Sequence, residues 1–188
     1  MNTVLKTLLA LSVSALALQA HAAPYQAIVP AKSSVTFSYK QMGVAMDGRF
    51  KKFSAQVNFD PTKAEQAKAS FEVDLASVDA GSSEADDEVV TKSWFNATAF
   101  PKASFVAKQI KQTAPNQYEV QGTLSIKGLT RDVKFPMRHT PQGKDGLLTG
   151  GFTLKRADYS IGEGMWAKFD VVANDIQVNF SLTTTPGK

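Results

Sequence analysis

Phe53-Ser54-Ala55-Gln56-Val57-Asn58-Phe59 alternates apolar and polar side chains without a break. Successive side chains of a strand point to opposite faces, so this spacing predicts a β-strand with Phe53, Ala55, Val57 and Phe59 on its buried face. The same period recurs in Val35, Phe37 and Tyr39, and in Phe71, Val73 and Leu75. It returns in Phe105 and Ala107, in Tyr118, Val120, Leu124 and Ile126, and in Val133, Phe135 and Met137. Phe152 and Leu154 continue it, and Ile176, Val178, Phe180 and Leu182 close it. The fold class is therefore all-β, with at least eight half-buried strands.

Turn residues separate these runs at Ala114-Pro115-Asn116-Gln117, Lys127-Gly128-Leu129-Thr130 and Pro141-Gln142-Gly143-Lys144-Asp145-Gly146, which predicts antiparallel hairpins. The glycines at 143, 146, 150, 151, 162 and 164 read as turn and bulge positions. Phe50 falls out of phase with Phe53, which predicts a bulge near Lys51 and Lys52. One segment departs from alternation. Residues 83–95, with Ser83 and Asp86 at capping-box-like spacing and Trp94 and Phe95 at the end, read as a short amphipathic helix. Its acids Asp86, Asp87 and Glu88 suit the positive end of the helix dipole and are expected to face water. Antiparallel strands with one apolar face form an up-and-down barrel or a sandwich, and eight strands enclose an interior just wide enough for one small ligand. Periodicity identifies the apolar face and leaves open whether that interior is packed or hollow.

The N-terminus carries Lys6, an apolar run from Leu8 to Leu18, and Ala20-His21-Ala22, the pattern of a cleavable export signal. The run falls well short of the ~20 apolar residues of a membrane-spanning helix. Cleavage after Ala22 divides the chain into a signal peptide, residues 1–22, and one domain, residues 23–188. The expected product is a soluble protein of the bacterial periplasm. Its 166 residues hold 20 basic and 17 acidic side chains, a net charge of +3, spread along the strands. Nothing resembles the dense basic stripe of a nucleic-acid surface, so no nucleic-acid partner is expected.

The chain contains no Cys, which removes disulfides, thiol nucleophiles and thiolate metal sites. After cleavage His139 is the one remaining histidine, which excludes a two-histidine metal site within one chain. At a strand end beside Pro141 it reads as a solvated surface residue, and no G-x-S-x-G elbow surrounds any serine. The glycine clusters form no phosphate-cradling loop, and carboxylate pairs such as Asp158 and Glu163 are compatible with plain solvation. No catalytic residue, metal or cofactor is therefore assigned. An enzyme would need a polar pair inside the barrel, for which Asp74 and Asp170 are the candidates to check for burial.

Five strings carry a family resemblance: Ser33-Ser34-Val35-Thr36-Phe37-Ser38-Tyr39-Lys40 with Met42-Gly43-Val44 and Gly48-Arg49-Phe50; Trp94-Phe95-Asn96; Phe100-Pro101-Lys102-Ala103-Ser104-Phe105; Gly122-Thr123-Leu124-Ser125-Ile126-Lys127-Gly128-Leu129-Thr130-Arg131; and Leu154-Lys155-Arg156-Ala157-Asp158-Tyr159-Ser160-Ile161-Gly162. In this order they resemble the YceI-like family of secreted polyisoprenoid-binding proteins, over nearly all of the mature chain. Lys32 and Gln41 depart from it, standing where the family often has histidine.

The resemblance implies a lipocalin-like, extended eight-stranded antiparallel β-barrel partly closed by the helix. It further implies a non-enzymatic carrier or sequestering protein that holds a long isoprenoid, a polyprenyl or isoprenoid quinone, or a similar amphiphilic lipid in an apolar tunnel. Transient membrane contact follows from that role, and because some members form dimers a homodimer is an expectation. Strand phase places Phe37, Val57, Phe59, Phe71, Val73, Leu124, Ile126, Phe135, Phe152 and Leu154 on the tunnel wall, with Trp94, Phe95, Trp166 and Phe169 near its closing region. Arg49, Arg131 and Arg156 are the cations available to an anionic headgroup, each with a surface or structural role as the alternative. The competing reading is an envelope interaction or stress protein whose barrel is filled.

Overall fold

The computed structural model describes residues 23–187, so the expected export signal lies outside the described residues. The strands are β1 (Tyr25–Ile28), β2 (Ser34–Gln41), β3 (Val44–Phe50), β4 (Phe53–Asn58), β5 (Lys68–Asp74) and β6 (Val78–Asp79). After the helix α1 (Ser83–Val89) come β7 (Lys102–Ala114), β8 (Gln117–Ile126), β9 (Leu129–Gln142), β10 (Asp145–Lys155) and β11 (Asp175–Pro186). They form one antiparallel sheet in the order β4-β5-β7-β8-β9-β10-β11-β2-β3-β6, with β1 farther along the edge of β11 that carries β2. The sheet curls into a half-barrel whose two edges are tied at their ends. Tyr25 of β1 exchanges both backbone hydrogen bonds with Phe59, just past β4, at 2.9 and 3.0 Å. At the other end β6, which leaves β5 through a turn at Leu75–Ser77, pairs with β3.

Among the described residues eleven strands replace the eight expected because β1, β3 and β6 lack a clear alternation. β1 and β6 are four and two residues long, and in β3 an inward position is Gly48. Phe37, opposite Gly48 in register, occupies the missing side chain's place, since a Cβ on Gly48 would stand 2.3 Å from Phe37 Cζ. Phe180 does the same over Gly150 of β10, 2.5 Å from the would-be Cβ, and Phe105 over Gly122 of β8, at 2.6 Å. Gly146, Gly150 and Gly151 are therefore strand residues rather than the turn and bulge positions expected, because an aromatic ring or a neighbouring side chain fills the space their own would need.

Two other local readings change. The phase break at Phe50 is a strand boundary: Lys51 and Lys52 lead from the β3 end of the sheet to β4 at the other, held by Lys51 N–H to Ser77 O (2.9 Å) and Asp74 N–H to Lys52 O (3.0 Å). The helix ends at Val89, and its N-cap is Ser82, whose Oγ accepts the Ala85 N–H at 3.2 Å. Of Asp86, Asp87 and Glu88 only Asp87 is exposed. Asp86 accepts the Ala80 N–H, and Glu88 accepts the Trp166 indole N–H at 2.8 Å, so the other two anchor the chain around the helix.

The core forms two clusters at opposite ends of the strands. Tyr25, Phe59, Tyr118, Met137, Leu148 and Leu182 make the lower one, and Val35, Val73, Trp94, Leu124, Leu154 and Ile161 the upper one. His139 belongs to the lower end and is 3% exposed, not solvated, because the inward phase of Phe135 and Met137 continues to it. Its ring packs 5.2 Å from that of Tyr25 and 5.6 Å from that of Phe59, and neither ring nitrogen has a hydrogen-bond partner. Burial pushes its pKa below the ordinary imidazole value.

The folded chain thus keeps His139 neutral where the unfolded chain protonates it, near pH ~6.5. Stability is undiminished above that pH. It falls as the pH drops through the window below, by up to about 1.4 kcal/mol per pH unit, until the native imidazole itself takes up a proton. Urea midpoints measured across this window should fall more steeply for the native sequence than for His139→Phe, and equal slopes would contradict this role.

Candidate functional site

Between the two clusters the barrel is hollow. A cavity of about 570 Å³ runs from Phe59 at the lower end to Trp94, Phe95, Trp166 and the face of α1 at the upper end. That volume lies in the ~300–1,000 Å³ range of small-molecule sites. The Gly–Phe pairs explain how it stays clear. Phe105 reaches Phe135 across the strand that carries Gly122, and Phe180 reaches Phe135 across the strand that carries Gly150, with centroids 5.4 and 5.8 Å apart. Phe152 stacks on Phe135 at 5.3 Å. The rings lie over the wall and contact one another along it.

Phe37, Val57, Phe59, Phe71, Val73, Trp94, Phe95, Leu124, Ile126, Phe135, Phe152, Leu154 and Trp166 all line the cavity. Phe169 does not: it is 50% exposed and packs outside, 5.1 Å from the Arg156 guanidinium. Lining residues not singled out from sequence include Met46, Phe50, Ile110, Met137, Phe180 and Leu182. Met137, Phe180 and Leu182 had the inward phase that could have found them, whereas Met46 and Phe50 sit on the strand whose alternation Gly48 interrupts. The filled-barrel reading does not describe this interior.

The mouth lies at the upper end, where Gln41, Met46, Ser82, Glu84, Ala85 and Glu88 border the cavity. Trp94 and Trp166 meet there with centroids 5.6 Å apart. Arg156 holds this end together. It is 1% exposed and points its guanidinium at backbone carbonyls of the segment linking β10 to β11. Nε donates to Ala173 O at 3.2 Å, and Nη1 to Ile161 O and Gly162 O at 2.8 and 2.9 Å. Nη2 donates to Trp166 O and Val172 O at 2.7 and 2.8 Å, with Lys168 O farther off at 3.3 Å. Its five N–H donors are thus all used, so it is a structural clamp rather than a headgroup ligand. Arg49 pairs with Asp79 at 3.2 Å and Arg131 donates to Thr130 O at 3.1 Å; both are exposed and neither borders the cavity.

Asp74 caps the turn at Leu75 by accepting the Ala76 N–H at 3.0 Å, and Asp170 is exposed, so neither enters the cavity. Among the described residues no three His, Cys, Asp or Glu side chains gather as a metal site, and no helix is long and apolar enough to cross a membrane.

Lysine in place of Arg156 brings three donors on a compact ammonium, leaving at least two of these carbonyls without a partner. At ~1–3 kcal/mol for each buried unsatisfied group, Arg156→Lys should destabilise the fold by about 2–6 kcal/mol. Urea unfolding followed by tryptophan emission measures it, and a loss under about 0.5 kcal/mol, the scale of an ordinary surface substitution, would contradict the clamp.

The YceI-like domain pattern matches residues 26–184. A UPF0312 protein of Yersinia enterocolitica is 31% identical over 167 residues, covering 83% of this chain and 86% of its own. The crystal structure of Burkholderia cenocepacia BcnA is similar with a TM-score of 0.82 at 40% identity, covering 84% of this chain and 99% of that one. A polyisoprenoid binding domain from Saccharophagus degradans shares the fold at a TM-score of 0.68 and 18% identity, covering 88% of this chain and 99% of its own. Sequence strings, curled antiparallel sheet and domain pattern agree, and the chain belongs to the YceI-like domain family.

Proposed function

We propose that this chain is an exported, periplasmic carrier or sequestering protein that takes up a long isoprenoid, or a similar amphiphilic lipid, tail first. One observation carries the reading. The cavity wall is apolar along its length, and apart from Ser70 and Ser104 its plainly polar side chains, Gln41, Ser82, Glu84, Glu88 and Arg156, lie toward the mouth. An amphiphile in such a space has its tail inside and its head at the rim. The Saccharophagus degradans neighbour is a polyisoprenoid binding domain, which supports the ligand class.

The cavity's length matches the hydrocarbon depth of one leaflet. From Val120 to Ile126 the cavity wall of β8 rises six residues, about 20 Å of strand and about 15 Å along the axis at a ~40° tilt. One leaflet of a ~30 Å hydrocarbon core spans about 15 Å, so the cavity holds an extended stretch of tail about one leaflet long. Each buried methylene is worth about 0.8 kcal/mol against water, but a bilayer interior is as apolar as the cavity, so transfer between them is close to isoenergetic. That balance fits exchange rather than permanent capture.

Met42 and Val44, 72% and 61% exposed, and Met165, 82% exposed, adjoin mouth residues Gln41 and Trp166 and supply an apolar rim for transient contact with a bilayer. The Met42 N–H donates to Val171 O at 2.8 Å, joining the two parts of that rim. We also propose that the protein acts without chemistry on its ligand. The two lining carboxylates, Glu84 and Glu88, lie at the mouth, and Glu88 is held by Trp166.

Val73 lines the cavity, so Val73→Trp fills it. After incubation with polyprenol-doped vesicles, the native sequence should leave a gel-filtration column with about one polyprenol per chain, and Val73→Trp, folded by circular dichroism, with about a tenth of that or less. Full retention by a folded Val73→Trp would contradict binding in this cavity.

A further inference from the structure

We propose that Phe59 is a fixed floor that sets the maximum tail length the cavity accepts, with Val57 one pleat above it. This rests on the lipid-binding reading and assigns its length limit to a particular place. Phe59 lines the lower end of the cavity together with Met137, Leu148 and Leu182, whereas Tyr25, Tyr118 and His139, which contact it, do not; on the β4 side its ring is the partition between the hollow and the packed lower end. It is 1% exposed, with its centroid 5.1 Å from that of Tyr118 and 5.6 Å from that of His139, both edge-to-face.

Its backbone is held as firmly as its ring. The paired hydrogen bonds with Tyr25 fix Phe59 against β1, and β1 is in turn laddered to β11. Behind the ring, the Tyr118 hydroxyl donates to Pro61 O at 3.4 Å and the Tyr25 hydroxyl to Asp145 O at 3.5 Å. A longer tail cannot gain room by tilting Phe59 without breaking into this packed cluster, since close-packed interiors yield little. Val57 shares the inward face of the strand, is 8% exposed, belongs to the same lower cluster and faces the hollow, so volume added there raises the floor.

The test loads the protein from vesicles doped with equal amounts of farnesol, geranylgeraniol, solanesol and longer polyprenols, and reads bound species by native mass spectrometry. The native sequence should show a longest retained alcohol. Val57→Phe should cut occupancy by that alcohol about tenfold or more and shift the maximum to a shorter one, and Phe59→Leu should shift it to a longer one. Val57→Phe keeps Phe59, Tyr25, Tyr118 and His139 in place, so the floor is tested even where Phe59→Leu fails to fold. An unchanged cut-off in folded Val57→Phe would overturn the floor, whereas a native protein that takes up no alcohol of any length would overturn the lipid-binding reading itself.

Discussion

An apolar cavity of about 570 Å³ has to be held open against its own tendency to collapse, and most of the notable features of this chain serve that constraint. At ~24 cal/mol per Å³, a dry void of that size would cost about 14 kcal/mol, the scale of a whole domain's stability. The wall therefore has to be rigid, and whatever occupies the hollow contributes to stability as well as function. Rigidity comes from the continuous antiparallel ladder and from rings laid over glycines: Phe37 on Gly48, Phe105 on Gly122 and Phe180 on Gly150. A side chain at any of these glycines would push a ring into the space that has to stay clear.

The two ends solve opposite problems. At the lower end a neutral, buried His139 and the β1–Phe59 pairing seal the barrel with packed rings. The upper end is open at the mouth and keeps its shape with a polar device: one buried guanidinium gathers carbonyls from Ile161 to Ala173, sparing them the desolvation they would otherwise suffer. Trp94 and Phe169 flank that cation, with ring centroids 5.6 and 5.1 Å away, and the segment it fixes places Trp166 across the mouth, where Glu88 of α1 receives the indole N–H. Wall, floor and mouth are thus held by different chemistry.

Strand phase alone was enough to place residues such as Val57, Phe71, Leu124 and Phe152 on the inner wall, because burial on one face of a sheet leaves a period of two in the sequence. It failed where side-chain identity and space are decoupled. Gly48 hid β3, since the ring filling its place belongs to Phe37, two strand positions that meet only in register. His139 kept the inward phase of Phe135 and Met137, yet its polarity suggested water. Arg156 followed the same logic: nothing local in Lys155-Arg156-Ala157 reveals that carbonyls up to 17 residues away will surround it. Phe169 fell outside the cavity because the β10–β11 connection carries no periodicity from which its direction can be read.

Native mass spectrometry of the protein purified from the cells that make it, with organic extraction and identification of whatever is bound, asks whether the hollow is a lipid site. A stoichiometric isoprenoid or similar long-tailed amphiphile is expected. A lipid-free mass that persists after incubation with isoprenoid-loaded vesicles would contradict it.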